Sequence, residues 1–240
     1  MSMDEAIGIY SLAEAAALVG THSRSIQRWL FGYAYTKQTL GSTSTERKVS
    51  APLWQSQHSD AQSKIIGFRD LLELRIVNEF VKHGVAISVV RQCLDGAKTL
   101  LNTDHPFSLN RFATDGKTIY ADLIKNGDAP ELIDLRQRQI VFRDIIKPSL
   151  YDGIEYDLTN KFARRWYPNK QRRVVLDPSI EFGKPTVVGS GIPTAALFAH
   201  YLAEGSDAAA TKKVAAIFDI LNKDVSAAIQ FEQSLRQQAA

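Results

Sequence analysis

From Tyr10 to Leu30 the chain reads YSLAEAAALVGTHSRSIQRWL. Ser11 and Glu14 have the spacing of a capping box, in which each side chain satisfies the other residue's backbone N–H. Leu12, Ala15, Ala16 and Val19 then recur on one face at helical period. Gly20 is a stop signal, because glycine adopts the left-handed conformation of a helix end at little cost. A second helix is expected from Ser23 to Phe31, with Ile26, Trp29 and Leu30 facing inward and Arg24, Gln27 and Arg28 outward. Helix, tight turn and helix within about 21 residues is the spacing of a helix-turn-helix.

Working outward, Tyr33 to Gln57 carries Tyr33, Tyr35, Val49, Leu53 and Trp54 around a polar stretch, Thr39 to Thr45. That pattern predicts a hairpin with a long tip, a wing. Phe68 to His83 reads as a strongly amphipathic helix ended by Gly84, and Ser88 to Leu101 as a further helix capped by Ser88. Asn110 to Thr114 and Lys117 to Asp122 flank Asp115-Gly116, a turn pair suited to a hairpin. A helix over Arg136 to Ile146 and an edge strand over Tyr151 to Leu158 follow. In the C-terminal third, Pro178, Gly183, Pro185, Gly189, Gly191 and Pro193 crowd together before three expected helices: Pro193 to Glu204, Asp207 to Phe218 and Asn222 to Arg236.

The fold class expected is mainly α (α+β). Residues 1–103 form a winged helix-turn-helix unit, 104–170 a small α+β region with a basic linker, and 171–240 a three-helix C-terminal domain. Hydrophobic residues make up 45% and charged residues 23%, as in ordinary globular chains. No apolar run approaches the length of a membrane span. The first ten residues lack a basic n-region, so no secretory signal is read. Cys93 is the only cysteine, which excludes an intrachain disulfide and fits a reducing, cytoplasmic setting.

Net charge is only +3, but the bases are clustered. Arg24, Arg28, Lys37, Arg47 and Lys48 face a single acid, Glu46, between Ser23 and Lys48. Lys161, Arg164, Arg165, Lys170, Arg172 and Arg173 face none between Asn160 and Val175. Such stripes suit a polyanion or remain simple solvated faces. Arginine donates twice to guanine O6 and N7, so Ser23, Arg24, Ser25, Gln27 and Arg28 are the candidate DNA contacts on the second helix. Lys37, Arg47 and Lys48 would touch phosphates from the wing. Trp29, spaced with Ile26 and Leu30, reads as core. The run holding Trp166 and Tyr167 is open between DNA flanking the site, an acidic partner surface and an interdomain linker.

Catalytic patterns are absent. His22, His58, His83, His105 and His200 are scattered without an H-x-x-x-H pair, and no G-x-S-x-G elbow is present. Gly183 to Pro193 lacks the P-loop pattern and reads as a structural turn. Cys93 beside Leu94 reads as a small buried residue. The expectation is no enzyme, no cofactor and no metal.

Tyr10-Ser11-Leu12-Ala13-Glu14-Ala15-Ala16, Gly20, and Arg24-Ser25-Ile26-Gln27-Arg28-Trp29-Leu30 resemble the MerR-type winged helix-turn-helix. Phe68-Arg69-Asp70-Leu71-Leu72-Glu73-Leu74-Arg75 and His83-Gly84-Val85-Ala86-Ile87-Ser88 extend that resemblance over about 100 residues. His22-Ser23 departs from the family's usual Ser-Pro. Leu176-Asp177-Pro178, Gly183-Lys184-Pro185-Thr186-Val187-Val188-Gly189 and Ile192-Pro193 resemble an antitoxin domain, the domain of unknown function four-three-three. Gly189-Ser190-Gly191-Ile192-Pro193 replaces that family's usual Gly-Thr-Arg-Ile-Pro. The two together are similar to a class of VapB-type antitoxins.

The resemblance implies a PIN-domain ribonuclease toxin as partner and operator DNA bound as an autorepressor. It implies a homodimer or a hetero-oligomer with toxin, and no membrane. Arg164, Arg165, Trp166, Arg172, Arg173, Gly183, Lys184, Pro185, Ile192 and Pro193 are the candidate partner contacts. The alternative is a stand-alone MerR-like regulator whose C-terminal domain senses a small ligand. A hydrolase would need converging carboxylates or a nucleophile pair, and the sequence shows neither.

Overall fold

The computed structural model describes residues 7–38, 45–59, 64–113 and 150–239. Mainly helical layers carry three small antiparallel sheets of two strands each among those residues. The first helix, α1 (Leu12–Val19), begins with the expected capping box: Ser11 N–H donates to Glu14 Oε2 at 2.8 Å and Glu14 N–H to Ser11 Oγ at 3.2 Å. Gly20 ends it at φ 71°. Helix α2 (Ser23–Phe31) follows, with Ile26, Trp29 and Leu30 buried. Gly32 then turns the chain at φ 72°, where a Cβ would lie 2.6 Å from the Ser50 carbonyl. Strands β1 (Tyr33–Gln38) and β2 (Thr45–Ser50) pair from Tyr33↔Ser50 to Gln38↔Thr45. The hairpin expected between Tyr33 and Gln57 is present, and residues 39–44 of its tip lie outside the described residues.

Helix α3 (Phe68–Lys82) departs from its expected amphipathic character. Leu71, Leu72, Leu74, Ile76, Val77 and Phe80 are buried, and so are Asp70, Glu73 and Asn78. The helix runs through the middle of the unit, so its polar side needs internal partners. Asp70 accepts from Trp54 Nε1 (2.8 Å), Ser56 Oγ (2.9 Å) and the Gln57 and Gly67 N–H groups (both 3.0 Å), and its Oδ1 lies 2.9 Å from His105 Nε2. Burial pushes its carboxyl up, but the bonds from His105, Trp54 and Gly67 outweigh that and hold it below the usual range. Asn78 Nδ2 donates to the Val19 and Gly20 carbonyls at 3.1 and 3.3 Å. Those carbonyls belong to the end of α1, so α3 fixes the helix-turn-helix corner from behind.

Helix α4 spans Ile87–Leu101, one residue earlier than expected. Ser88 does not cap it. Ala86 occupies the cap position with no side-chain bond, because Gly84 at φ 79° and the Val85 N–H bond to Phe80 O (3.0 Å) set where the helix starts. Residues 110–113 are helical rather than the start of a hairpin. The remainder of that expected hairpin, and the helix expected over Arg136 to Ile146, lie outside the described residues.

Beyond residue 150 the expected edge strand contracts to β3 (Ile154–Tyr156), which pairs with β4 (Ala163–Trp166). The basic run is therefore partly a strand, not a linker. Trp166 and Leu176 exchange backbone bonds of 2.9 and 2.8 Å, leading into β5 (Val174–Val175), which pairs with β6 (Thr186–Val187). Then α5 (Thr194–Ala203), α6 (Ala208–Ile217) and α7 (Asn222–Ala239) form the expected three helices. Asp207 caps α6 by accepting from Ala210 N–H at 2.7 Å.

The larger core joins Tyr10, α1 to α4 and Phe107 to Ala163, Trp166 and Leu176. A second core packs Val187, Leu197, Phe198, Val214, Val225 and Ile229. Tyr10 reaches across the chain, donating its hydroxyl to the Gly183 carbonyl at 2.7 Å.

Candidate functional site

The outer face of α2 is built by the burial of its inner face. Ile26, Trp29 and Leu30 are anchored in the core, each worth about 1.5–3 kcal/mol when fully buried. The 3.6-residue period then leaves Ser23, Arg24, Gln27 and Arg28 exposed and Ser25 half-buried. Ser23 also turns inward in part, with its hydroxyl 3.3 Å from the Leu12 carbonyl as donor. That bond ties α2 to α1 and occupies the Ser23 proton.

Arg28 joins this face to the wing. Its guanidinium lies 5.1 Å from the Tyr33 ring centroid, and Tyr33 lies 5.7 Å from Tyr35. Both tyrosines are exposed and stand on one side of β1. Lys48 is opposite Tyr35 in the register, and so shares that side. Its ammonium pairs with Glu46 at 3.3 Å, an exposed contact worth at most about 1 kcal/mol. Arg47 is the next residue along, so its side chain leaves the other face of the hairpin. Arg47 and Lys48, grouped by sequence, thus serve opposite faces. Lys37 lies opposite Glu46 in the backbone register. Tyr33 and Tyr35 were not among the expected contacts. Their period-2 spacing in a short polar strand was the signal that marks them.

The expected partner residues do not form one surface. Trp166 is 5% exposed and packs in the larger core, with the Arg75 guanidinium 4.7 Å from its ring, so it offers no side chain to a partner. Gly183 is buried under Tyr10, where a Cβ would meet the Tyr10 hydroxyl at 2.4 Å. Pro185, Ile192 and Pro193 are half-buried.

Much of the expected positive charge is matched internally. Arg165 lies 3.2 Å from Glu155 and 3.7 Å from Asp177, Arg172 lies 3.6 Å from Glu155, and Arg173 pairs with Asp224. Arg164 and Lys184 are exposed. Between them in sequence, Glu181 and Phe182 adopt positive φ (48° and 56°), and Phe182 stands 67% exposed. That exposed aromatic was not among the expected contacts.

Among the described residues, no group of three or more His, Cys, Asp or Glu side chains is placed to hold a metal ion. No helix among them is long and apolar enough to cross a membrane. Burial pushes the Cys93 thiol up to about 12, so it stays protonated at neutral pH.

With these surfaces defined, comparison with known proteins gives two similarities. The chain is 28% identical over 207 residues to a Mycobacterium tuberculosis (strain ATCC 25618 / H37Rv) protein named "Putative antitoxin VapB45", covering 79% of this chain and 80% of that one. The similarity supports the antitoxin class. The crystal structure of Rv2018 from Mycobacterium tuberculosis superposes with a TM-score of 0.63 at 20% identity, over 92% of this chain and 96% of the other, and shows a shared fold. No family model matches the chain.

Proposed function

We propose that this chain is the antitoxin of a toxin–antitoxin pair, acting by binding rather than catalysis. It reads operator DNA through α2 and the Arg28–Tyr33–Tyr35–Lys48 face of the wing. In this reading residues 1–103 are a MerR-like winged helix-turn-helix, and residues 171–240 resemble the domain of unknown function four-three-three. The partner is a PIN-domain ribonuclease toxin in a reducing, cytoplasmic compartment. Arg164 and Lys184 are the basic contacts best placed to meet its acidic centre.

The observation that carries the DNA half is the exposed Arg24, Gln27 and Arg28 set on a helix whose opposite face is locked in the core. Base-edge contacts require such a rigid support. The similarity to an antitoxin carries the other half. Operator half-sites are read by paired helices, so a homodimer or a hetero-oligomer with toxin is the expected binding species. Titration of the upstream DNA of its own operon with purified protein tests the DNA half. A sequence-specific shift that weakens steeply with salt is expected, and binding equal to that of random DNA would refute it.

A further inference from the structure

The wing is gripped at its base by α4, a helix that carries none of the candidate DNA contacts. Strand pairing ends at Tyr33↔Ser50, and beyond it the returning chain leaves the ladder. Arg91 of α4 takes hold of that chain. Its Nη1 donates to the Pro52 carbonyl at 2.7 Å, and its Nη2 to the Ala51 carbonyl at 2.6 Å and to the Ser50 hydroxyl at 3.5 Å. Lys98, seven residues on and so on the same side of α4, donates to the Leu53 carbonyl at 2.9 Å. The Leu53 N–H donates to the Trp29 carbonyl at 2.7 Å, which ties the same segment to the end of α2. A two-stranded hairpin is marginal by itself, so its angle to α2 is set by what holds its base. The guanidinium is a rigid planar fork, and its bonds to successive carbonyls fix direction as well as distance.

We propose that Arg91 is the positioning residue of the wing: from α4 it fixes the hairpin at the angle to α2 that presents Arg28, Tyr33, Tyr35 and Lys48 together to DNA. Its bonds to the Ala51 and Pro52 carbonyls lie at the surface, so water takes over those carbonyls when the guanidinium is removed and the fold survives. What is lost is the fixed angle. The wing must then be ordered as it binds, which costs affinity. A lysine at position 91 keeps the charge and the stem but is a single point donor without the fork, which separates positioning from a direct phosphate contact. The consequence for DNA rests on the operator reading above, and the hold on the wing does not.

The test uses the full chain with nitroxides on Thr45→Cys, at the far end of β2, and Leu100→Cys, on α4. Both positions are exposed, and the buried Cys93 stays unlabelled. Double electron–electron resonance without DNA is expected to give one narrow distance peak for the parent and a peak at least twice as broad for Arg91→Lys and for Arg91→Met. In unlabelled chains, both substitutions are expected to weaken operator binding at least fivefold and to flatten its salt dependence by about one counterion, that of the Lys48 contact. Adding Lys48→Ala to Arg91→Lys is expected to cost less than twofold more, because that contact is already gone. Arg91→Lys carries the test if Arg91→Met does not melt cooperatively. An unchanged distance peak overturns the proposal whatever DNA does. So do parental operator affinity in Arg91→Lys and losses that multiply with Lys48→Ala. A parent that binds operator no better than random DNA refutes the operator reading alone, and the distance peak then decides whether Arg91 holds the wing.

Discussion

The corner between α1 and α2 and the β3–β6 region have opposite relations between local sequence and structure. In the corner, apart from the Asn78 bonds to the Val19 and Gly20 carbonyls, the signals that set the structure are local. Ser11 and Glu14 cap each other, Gly20 supplies the left-handed turn, and Ile26, Trp29 and Leu30 repeat at helical period. In β3–β6 the partners are distant. Tyr10 closes on Gly183, Arg165 meets Asp177, and Arg173 meets Asp224. A region held by local rules displays its function on one face. A region held by distant contacts uses much of its charge internally, which is why many of its arginines are matched by carboxylates.

The largest expected effect would show how far the corner depends on what lies behind it. Asp70→Ala removes the acceptor of the Trp54, Ser56, Gln57 and Gly67 bonds and of the His105 contact. It should cost about 3–5 kcal/mol in a denaturant titration at pH 7, because several buried donors lose one charged acceptor at once, at about 1–3 kcal/mol for a single buried group left unsatisfied. In the native protein the depressed Asp70 pKa contributes stability that is present above the unfolded value of 3.8 and lost as pH falls through the folded one. The Asp70→Ala deficit should therefore shrink in acid.

Next in size, Arg24→Ala and Arg28→Ala should each weaken operator binding by about 1–3 kcal/mol while leaving thermal stability unchanged. Anisotropy titrations at fixed salt would check this, and unchanged affinity would show that α2 is not the reading helix.

A smaller effect separates buried carboxyls of opposite sign. Burial raises Glu73 well above its ordinary value, offset in part by the Ser108 N–H, which donates at 2.9 Å. The folded state thus prefers the protonated form, and stability falls as pH rises from 4.5 toward the folded value. Glu73→Gln should melt higher than the parent at pH 7 and converge with it below about pH 4, as read by thermal scans. The smallest effect tests the wing. Lys48→Ala should reduce operator affinity and flatten its salt dependence by about one counterion, whereas Arg47→Ala, on the far face, should change neither.

The sequence made α1, α2, the wing and the three C-terminal helices legible because caps, glycine stops and period are local signals. It misread α3 because one-sided apolar spacing does not reveal that Asp70, Glu73 and Asn78 are enclosed by His105, Ser108 and the end of α1. It left the basic run open because six bases between Lys161 and Arg173 are equally compatible with a contact face and a solvated linker until the Ile154↔Trp166 pairing and the carboxylates of Glu155, Asp177 and Asp224 come into view. Of the candidate DNA residues, Arg24, Gln27 and Arg28 were readable from helical phase. The division of Arg47 from Lys48 needed the strand register.

The antitoxin account is tested most directly by co-expressing the chain with the product of the reading frame adjacent to its gene, scoring growth and copurification together. The account predicts that the neighbour arrests growth alone, that co-expression restores growth, and that the two proteins purify as a complex that survives Arg24→Ala with Arg28→Ala. A harmless neighbour that forms no complex would contradict it.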